Sequence, residues 1–306
     1  MRVQILKQPV MFRVLYALIP ITLYAIFLFG WRVLAIIAVT NLAAFFSEYL
    51  FIRNRPGGRV TSAVFVTGTI LALTLPPTLP LWMAAVGGIV AIVFGKMIFG
   101  GFGMNVFNPA IVGRTFLYVT FANHMTVRWL TPFDSLPGGF VAYSNSELVT
   151  TATPLVAENG FTLQQLLSGL IPGSIGETSA LLIILAGLYL SLTRTAKWQA
   201  MLSTLLGFLI FSVIFYSGEN PVFHLLSGGV MFGIIFMVTD PISMPKNIYA
   251  VWIFGLLVGF LTVFIRKFAL WNEGFMFALL LANSFLPIIE SGINYRSSEI
   301  KKDSGR

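Results

Sequence analysis

The sequence predicts an all-α, polytopic membrane protein of about ten transmembrane helices, arranged as a 5+5 inverted repeat with interrupted helices. Three observations lead there. Of 306 residues, 57% are hydrophobic and only 10% charged, far from the mix of a water-soluble domain. Apolar runs of about 16–21 residues recur along the chain, each long enough to cross the roughly 30 Å hydrocarbon core as a helix. Finally, residues 59–80 align without a gap on residues 224–245, which points to an internal duplication.

Taken in order, the first run covers about 13–30 and follows Arg2, Lys7 and Arg13. No small-x-small cleavage site follows it, so it reads as a retained span and not as a signal peptide. Runs at about 32–52, 60–76, 79–99 and 104–121 complete a first half over 13–121. A long connection spans 122–178, and its segment FTLQQLLSGLI (161–171) predicts a short amphipathic helix lying on the surface. The second half, 179–290, holds runs at about 179–194, 200–216, 222–239, 248–265 and 270–290, followed by a tail at 291–306. No low-complexity tract or linker interrupts this pattern, so residues 1–306 read as a single membrane domain.

In the repeat, Ser62, Gly68, Thr74, Pro76 and Pro80 match Ser227, Gly233, Thr239, Pro241 and Pro245 at a constant offset of 165. An odd number of spans per half turns the second copy upside down relative to the first. Helices interrupted by Gly and Pro expose backbone N–H and C=O groups, tolerated within a membrane only beside protein or a water-filled cavity. Such an architecture serves a transporter, a channel or a redox pump equally well.

The net charge of +8 would suggest nucleic acid in a soluble protein; here its placement is topological. With both termini in the cytoplasm, most of the 19 lysines and arginines fall on the inner side, among them Arg53, Arg55, Arg59, Lys96, Arg194, Lys197 and Lys246, as the positive-inside rule requires. The 122–178 connection then lies outside the membrane. It carries Asp134, Glu147, Glu158 and Glu177 against Arg128. Cysteine is absent, so the chain supplies no thiolate to zinc or to an iron–sulfur cluster. His124 and His224 both fall near the outer face; a haem pair and simple interfacial polarity are the two readings of them.

Several constellations stand out as chemistry. In GKMIFGGFGMNVFNPAIVGRTF (95–116), Gly100, Gly101 and Gly103 permit positive φ and close approach by a flat ligand, while Asn105 and Asn108 offer amide donors and acceptors. Close helix packing by small residues is the competing reading. No strand–helix unit surrounds the glycines, which excludes a Rossmann phosphate loop. Arg114, placed on the same predicted helix, calls for a phosphate or carboxylate, or for a partner within the protein. Asp240, which ends an interrupted span before Pro241, and Glu48 are candidates for an ion path. Asp240 also suits a cap, and Glu48 also suits the inner interface. Last, TTATP at 150–154 reads by itself as a loop or helix-start tract.

These residues together resemble a known family: the D subunit of the Rnf complex and its relative, the B subunit of the sodium-pumping NADH:quinone reductase. The resemblance rests on IFGGFGMNVFNPA, HLLSGGVMFGIIFMVTDP, WNEGFMFALLLANSFLPII and TTATPL, and covers nearly the whole chain. It implies that Thr153 is esterified by the phosphate of FMN, within an [S/T]-x-A-T pattern whose second position is Thr151 here instead of the usual small residue. It also implies a second, non-covalent flavin, often riboflavin, for which the glycine–asparagine segment is the expected neighbourhood. Pro154 biases Thr153 toward an extended conformation that presents the hydroxyl. An unaided threonine is a poor nucleophile, so a separate flavin transferase is implied. By resemblance the chain relays electrons in a membrane complex that couples ferredoxin or NADH oxidation to Na+ or H+ movement. Partner subunits would supply the iron–sulfur and further flavin centres. A secondary transporter or channel, for riboflavin or another small solute, is the rival reading.

Overall fold

The computed structural model describes all residues except 1–4, 56, 128, 133–149, 152–160, 178, 270, 272 and 304–306. The chain is mostly helical. Among the described residues five helices are long and apolar enough to cross a membrane: α1 (Pro9–Phe29), α2 (Arg32–Ile52), α9 (Trp198–Phe215), α12 (Ile248–Phe268) and α13 (Gly274–Asp303, apolar over Gly274–Ile293). Shorter apolar helices lie between them: α3 (Ala63–Leu73), α4 (Leu81–Ile92, continued by a π-helical turn Val93–Met97), α5 (Pro109–Thr120) and α8 (Ala180–Leu192). This is a polytopic membrane protein.

Local chemistry sets the boundaries. Pro9 and Pro109 occupy the first turns of α1 and α5, where a missing N–H leaves nothing unpaired. Asn108 caps α5 by accepting from the N–H groups of Ala110 and Ile111. Helices α8 and α12 begin on the caps Ser179 and Asn247. In the connection, α6 (Ala122–Thr126) leads to strand β3 (Trp129–Leu130), which pairs antiparallel with β4 (Thr150–Thr151). Helix α7 (Leu163–Ser168) follows, held by a Thr162–Gln165 capping box and closed by Gly169 at φ 93°. It falls within the short helix that the sequence predicts at 161–171.

The two runs that carry the repeat are not full-length helices. Helix α3 stops at Leu73, about 16 Å after its start at 1.5 Å per residue, because Pro76 and Pro77 cannot continue the ladder. The equivalent run splits into α10 (Pro221–Leu226) and α11 (Val230–Phe236) at Ser227–Gly229, with Gly228 at φ 70°. Their freed backbone groups meet protein. The Leu73 and Leu75 carbonyls accept from Gly176 N at 2.6 Å and Ile175 N at 3.1 Å. At the second break, Arg266 donates to the His224 and Ser227 carbonyls at 2.8 and 3.2 Å. The runs at 60–76 and 222–239, expected as interrupted helices, therefore form short helices ended by Pro and Gly.

The offset of 165 reaches beyond the quoted segments. It carries Arg32 onto Lys197, and each sits at the start of a long helix donating to carbonyls past the interrupted one. Arg32 reaches Thr78 O and Leu79 O at 3.4 and 3.1 Å; Lys197 reaches Pro245 O and Lys246 O, both at 3.1 Å. The packing repeats as well: α2 lies on α4 as α9 lies on α12, and α4 lies on α5 as α12 lies on α13. Elements before and after the 122–178 connection meet along α1 with α8 and α5 with α13.

Candidate functional site

Two polar clusters lie between these elements, one at each end of the bundle. At the end where β1 (Ile5–Leu6) pairs parallel with β2 (Val60–Thr61), here the basic end, a cleft runs between elements on either side of the 122–178 connection. It is lined by Met11 of α1, Thr67 of α3, Lys96, Asn105, Asn108 and Asp240, among others. Gly100, Gly101 and Gly103 take φ of 119°, 110° and 89°, a region closed to most side chains. They let the chain reverse between the π turn and α5. The close approach is enforced next to them too, since a Cβ on Gly95 would lie 2.7 Å from Pro109 Cα. Asn105 precedes α5 in an irregular segment, its Nδ2 donating to Phe107 O at 3.2 Å. The sequence expectation that Asn105 shares a helix with Arg114 is thus corrected: Pro109 sets the helix start. Asn108 Nδ2 reaches Met237 O at 3.4 Å, joining the α5 start to the end of α11.

Charge placement alone puts Lys96 among the solvated inner cations, yet it is 2% exposed. It is carried, buried, on the π-helical turn Val93–Met97. Its Nζ donates to Glu48 Oε2 and to Thr61 Oγ1, both at 2.6 Å, while Glu48 Oε1 accepts from Thr61 N at 2.9 Å and Thr61 Oγ1 at 2.8 Å. Glu48, read as an ion-path candidate or as an interfacial acid, is a buried carboxylate with both oxygens engaged. Asp240 behaves as a cap: Oδ1 accepts from Ile242 N at 3.4 Å and Oδ2 from Ser243 Oγ at 2.8 Å. It also lines the cleft.

At the opposite end Arg114 finds its carboxylates within the chain. Its guanidinium donates to Glu177 Oε1 at 2.6 Å, to Glu273 Oε2 at 2.5 Å and to Ser174 Oγ at 3.4 Å. Glu177, counted by sequence among the acids of the outer loop, is buried here because residues 174–177 turn back to cover the α3 carbonyls. Arg114, Glu177, Arg266 and Glu273 enclose a small void with Gly229 and Met237. His224 pairs with Glu219 at 2.5 Å and stacks on Tyr216, whereas His124 lies on α6. Among the described residues no three His, Cys, Asp or Glu side chains gather for a metal. Thr153 lies outside the described residues; β4, ending at Thr151, joins the stretch before it to β3.

Sequence reasoning missed Lys96, Thr61, Glu177, Glu273 and Arg266 as members of these clusters. A lysine and an arginine within apolar runs were the available signal; their partners are 48 and 159 positions away.

A model of the family described as NQR2, RnfD, RnfE matches residues 2–298. The chain is 39% identical over 269 residues to the B subunit of the Na(+)-translocating NADH-quinone reductase of Ectopseudomonas mendocina (strain ymp), covering 84% of this chain and 66% of that protein. To the protein of the same description from Chromohalobacter salexigens it is 39% identical over 274 residues, covering 84% and 64%. It is also 34% identical over 303 residues to the D subunit of the proton-translocating ferredoxin:NAD(+) oxidoreductase complex of Clostridium ljungdahlii, covering 92% of this chain and 88% of that one. The chain thus spans just under two thirds of the length of the reductase subunits.

Proposed function

We propose, from the premise that this chain belongs to the NQR2, RnfD, RnfE family, that it is the flavin-carrying membrane subunit of an ion-translocating ferredoxin or NADH oxidoreductase complex. It is an electron-relaying translocase subunit, inactive alone, in a bacterial cytoplasmic membrane. The domain 1–306 folds as two halves, about 13–121 and 179–290, related by an axis in the membrane plane, with both termini cytoplasmic and the 122–178 connection outside. The matched start points, the matched carbonyl caps at Arg32 and Lys197 and the repeated helix packing support that reading.

The observation that carries the function is TTATP at 150–154 in a chain without cysteine. Thr153 holds FMN through a phosphodiester on its hydroxyl oxygen, made by a flavin transferase, and bound flavin supplies one- and two-electron chemistry. A second flavin belongs near Gly100, Gly101, Gly103, Asn105 and Asn108. Amides and Asp240 suit a ring rich in donors and acceptors, but the cleft holds about 60 Å³, room for a few waters and too small for a flavin ring unless the surrounding elements move apart. Partner subunits bring the iron–sulfur centres and the reaction with soluble donors. Glu48 and Asp240 keep a role in ion movement only if their present bonds open.

Purified chain run under denaturing conditions should fluoresce under ultraviolet light, and its intact mass should include one FMN-phosphoryl group. Thr153→Val should remove both while the protein stays in the membrane. Fluorescence persisting in that variant overturns the site; its absence from the parent chain favours the transporter reading.

A further inference from the structure

We propose that the groove between α5 and α13, with the arginines at its basic end, binds one anionic glycerophospholipid of the surrounding bilayer. The proposal does not depend on the flavin assignment. The groove is open and holds about 500 Å³, within the range of small-molecule sites. Phe94, Phe99, Phe107, Phe116, Val119 and Leu281 form its walls, and among the described residues no charged side chain lines it. A heterocyclic ring would need several polar partners here. Of the groove's hydroxyls, Ser284 Oγ is already committed to Leu280 O at 3.0 Å, and the buried Thr115 Oγ1 without a partner is a single donor where such a ring needs several. Acyl chains need none. From Val112 to Thr120 the α5 wall runs about 12 Å at 1.5 Å per residue, close to the roughly 15 Å depth of one leaflet's hydrocarbon.

The end of the groove supplies the headgroup chemistry. Phe99 is followed by Gly100, whose carbonyl accepts from Arg55 Nη1 at 3.2 Å. That bond fixes a guanidinium beside the mouth while using one of its five donors. Arg53, Arg55 and Arg59 are all exposed on the turn 53–59, which contains no acid. The nearest one in sequence, Glu48, is buried and neutralised by Lys96. A planar fork above an apolar slot matches a phosphodiester with two chains below it. A zwitterionic lipid would bring its own cation to the same arginines, so the charge selects an anionic head.

The test uses the full chain, and the complex where it can be isolated, in nanodiscs of phosphatidylcholine containing phosphatidylglycerol as the minor component. Lipid retained after extraction into mild detergent is identified by native mass spectrometry. The parent protein should retain phosphatidylglycerol preferentially. Arg55→Glu and Arg53→Glu should each lower retention roughly fivefold. Leu281→Trp, on an exposed position, should fill the slot and lower it as well. Ser284→Phe serves the same end should that variant not fold. Equal retention in the charge variants overturns the proposal, as does equal retention of phosphatidylcholine. A retained molecule without phosphate, such as an isoprenoid quinone or free flavin, also overturns it.

Discussion

Lys96 and Glu48 show how little a single position tells about its own burial. Each looks interfacial in sequence, since one lies near the end of an apolar run and the other near a basic turn. Only the packing of α2 on α4 brings them to 2.6 Å with side-chain exposures of 3% and 2%. Burying such a pair gains little over an apolar pair of similar size, but removing one partner leaves an uncompensated charge. Lys96→Met should therefore destabilise the protein by about 3–5 kcal/mol, read as a lowered unfolding temperature in detergent. Adding Glu48→Leu should restore most of that loss; a double variant no better than the single one would show that the charges do not act as a pair. Arg114 obeys the same logic with an added demand of shape. Its planar fork meets Glu177 and Glu273 at once, which a lysine ammonium does not reproduce. Arg114→Lys should lower the unfolding temperature more than Arg53→Lys on the exposed turn does. That Arg114 needs an anion was legible from its place in an apolar run. That these anions are Glu177 and Glu273 was not, because the two reach Arg114 only through the turn at 174–177 and the packing of α13 against α5.

Among the elements, small residues decide which helices can touch. Helices in lipid gain no hydrophobic drive from pairing, so backbones must approach closely. Gly207, Gly255 and Gly259 do this between α9 and α12: a Cβ on Gly259 would sit 2.6 Å from Thr204 O and would also press on Phe208 N. Both are backbone atoms that cannot swing aside. Gly259→Val should cost about 1–3 kcal/mol by overpacking, whereas Gly292→Ala, with open space around it, should be neutral or stabilise by about 0.5–1 kcal/mol. Comparing the two unfolding temperatures checks the claim, and a Gly259 variant as stable as the parent would refute it. The Gly and Pro pattern made the interrupted runs legible in advance. Hydropathy alone did not, because a window of apolar residues scores the same whether or not the chain crosses in one piece. Where α10 ends and α11 begins depends on Arg266, a residue 39 positions from Ser227 that donates to the freed carbonyls.

For the molecule as a whole, the proposed duplication and the charge placement make one joint statement about orientation. If the halves are inverted and basic residues stay inside, the turn at 53–59 faces the cytoplasm and α7 faces outward. The flavin reading needs this arrangement, because Thr153 shares its connection with α7. A chain free of native cysteine makes the question directly measurable, since a single introduced thiol reports its own side of the membrane. Asn54 and Gln164 are exposed positions on the two ends, so substitution by cysteine should leave the packing intact. A membrane-impermeant maleimide applied to intact cells should label Gln164→Cys, and should label Asn54→Cys only after the cells are opened. The reverse pattern would turn the whole molecule over and put the threonine tract on the cytosolic side. Labelling of both in intact cells would contradict an odd number of crossings between them, and with it the five-span half from which the inverted repeat is inferred.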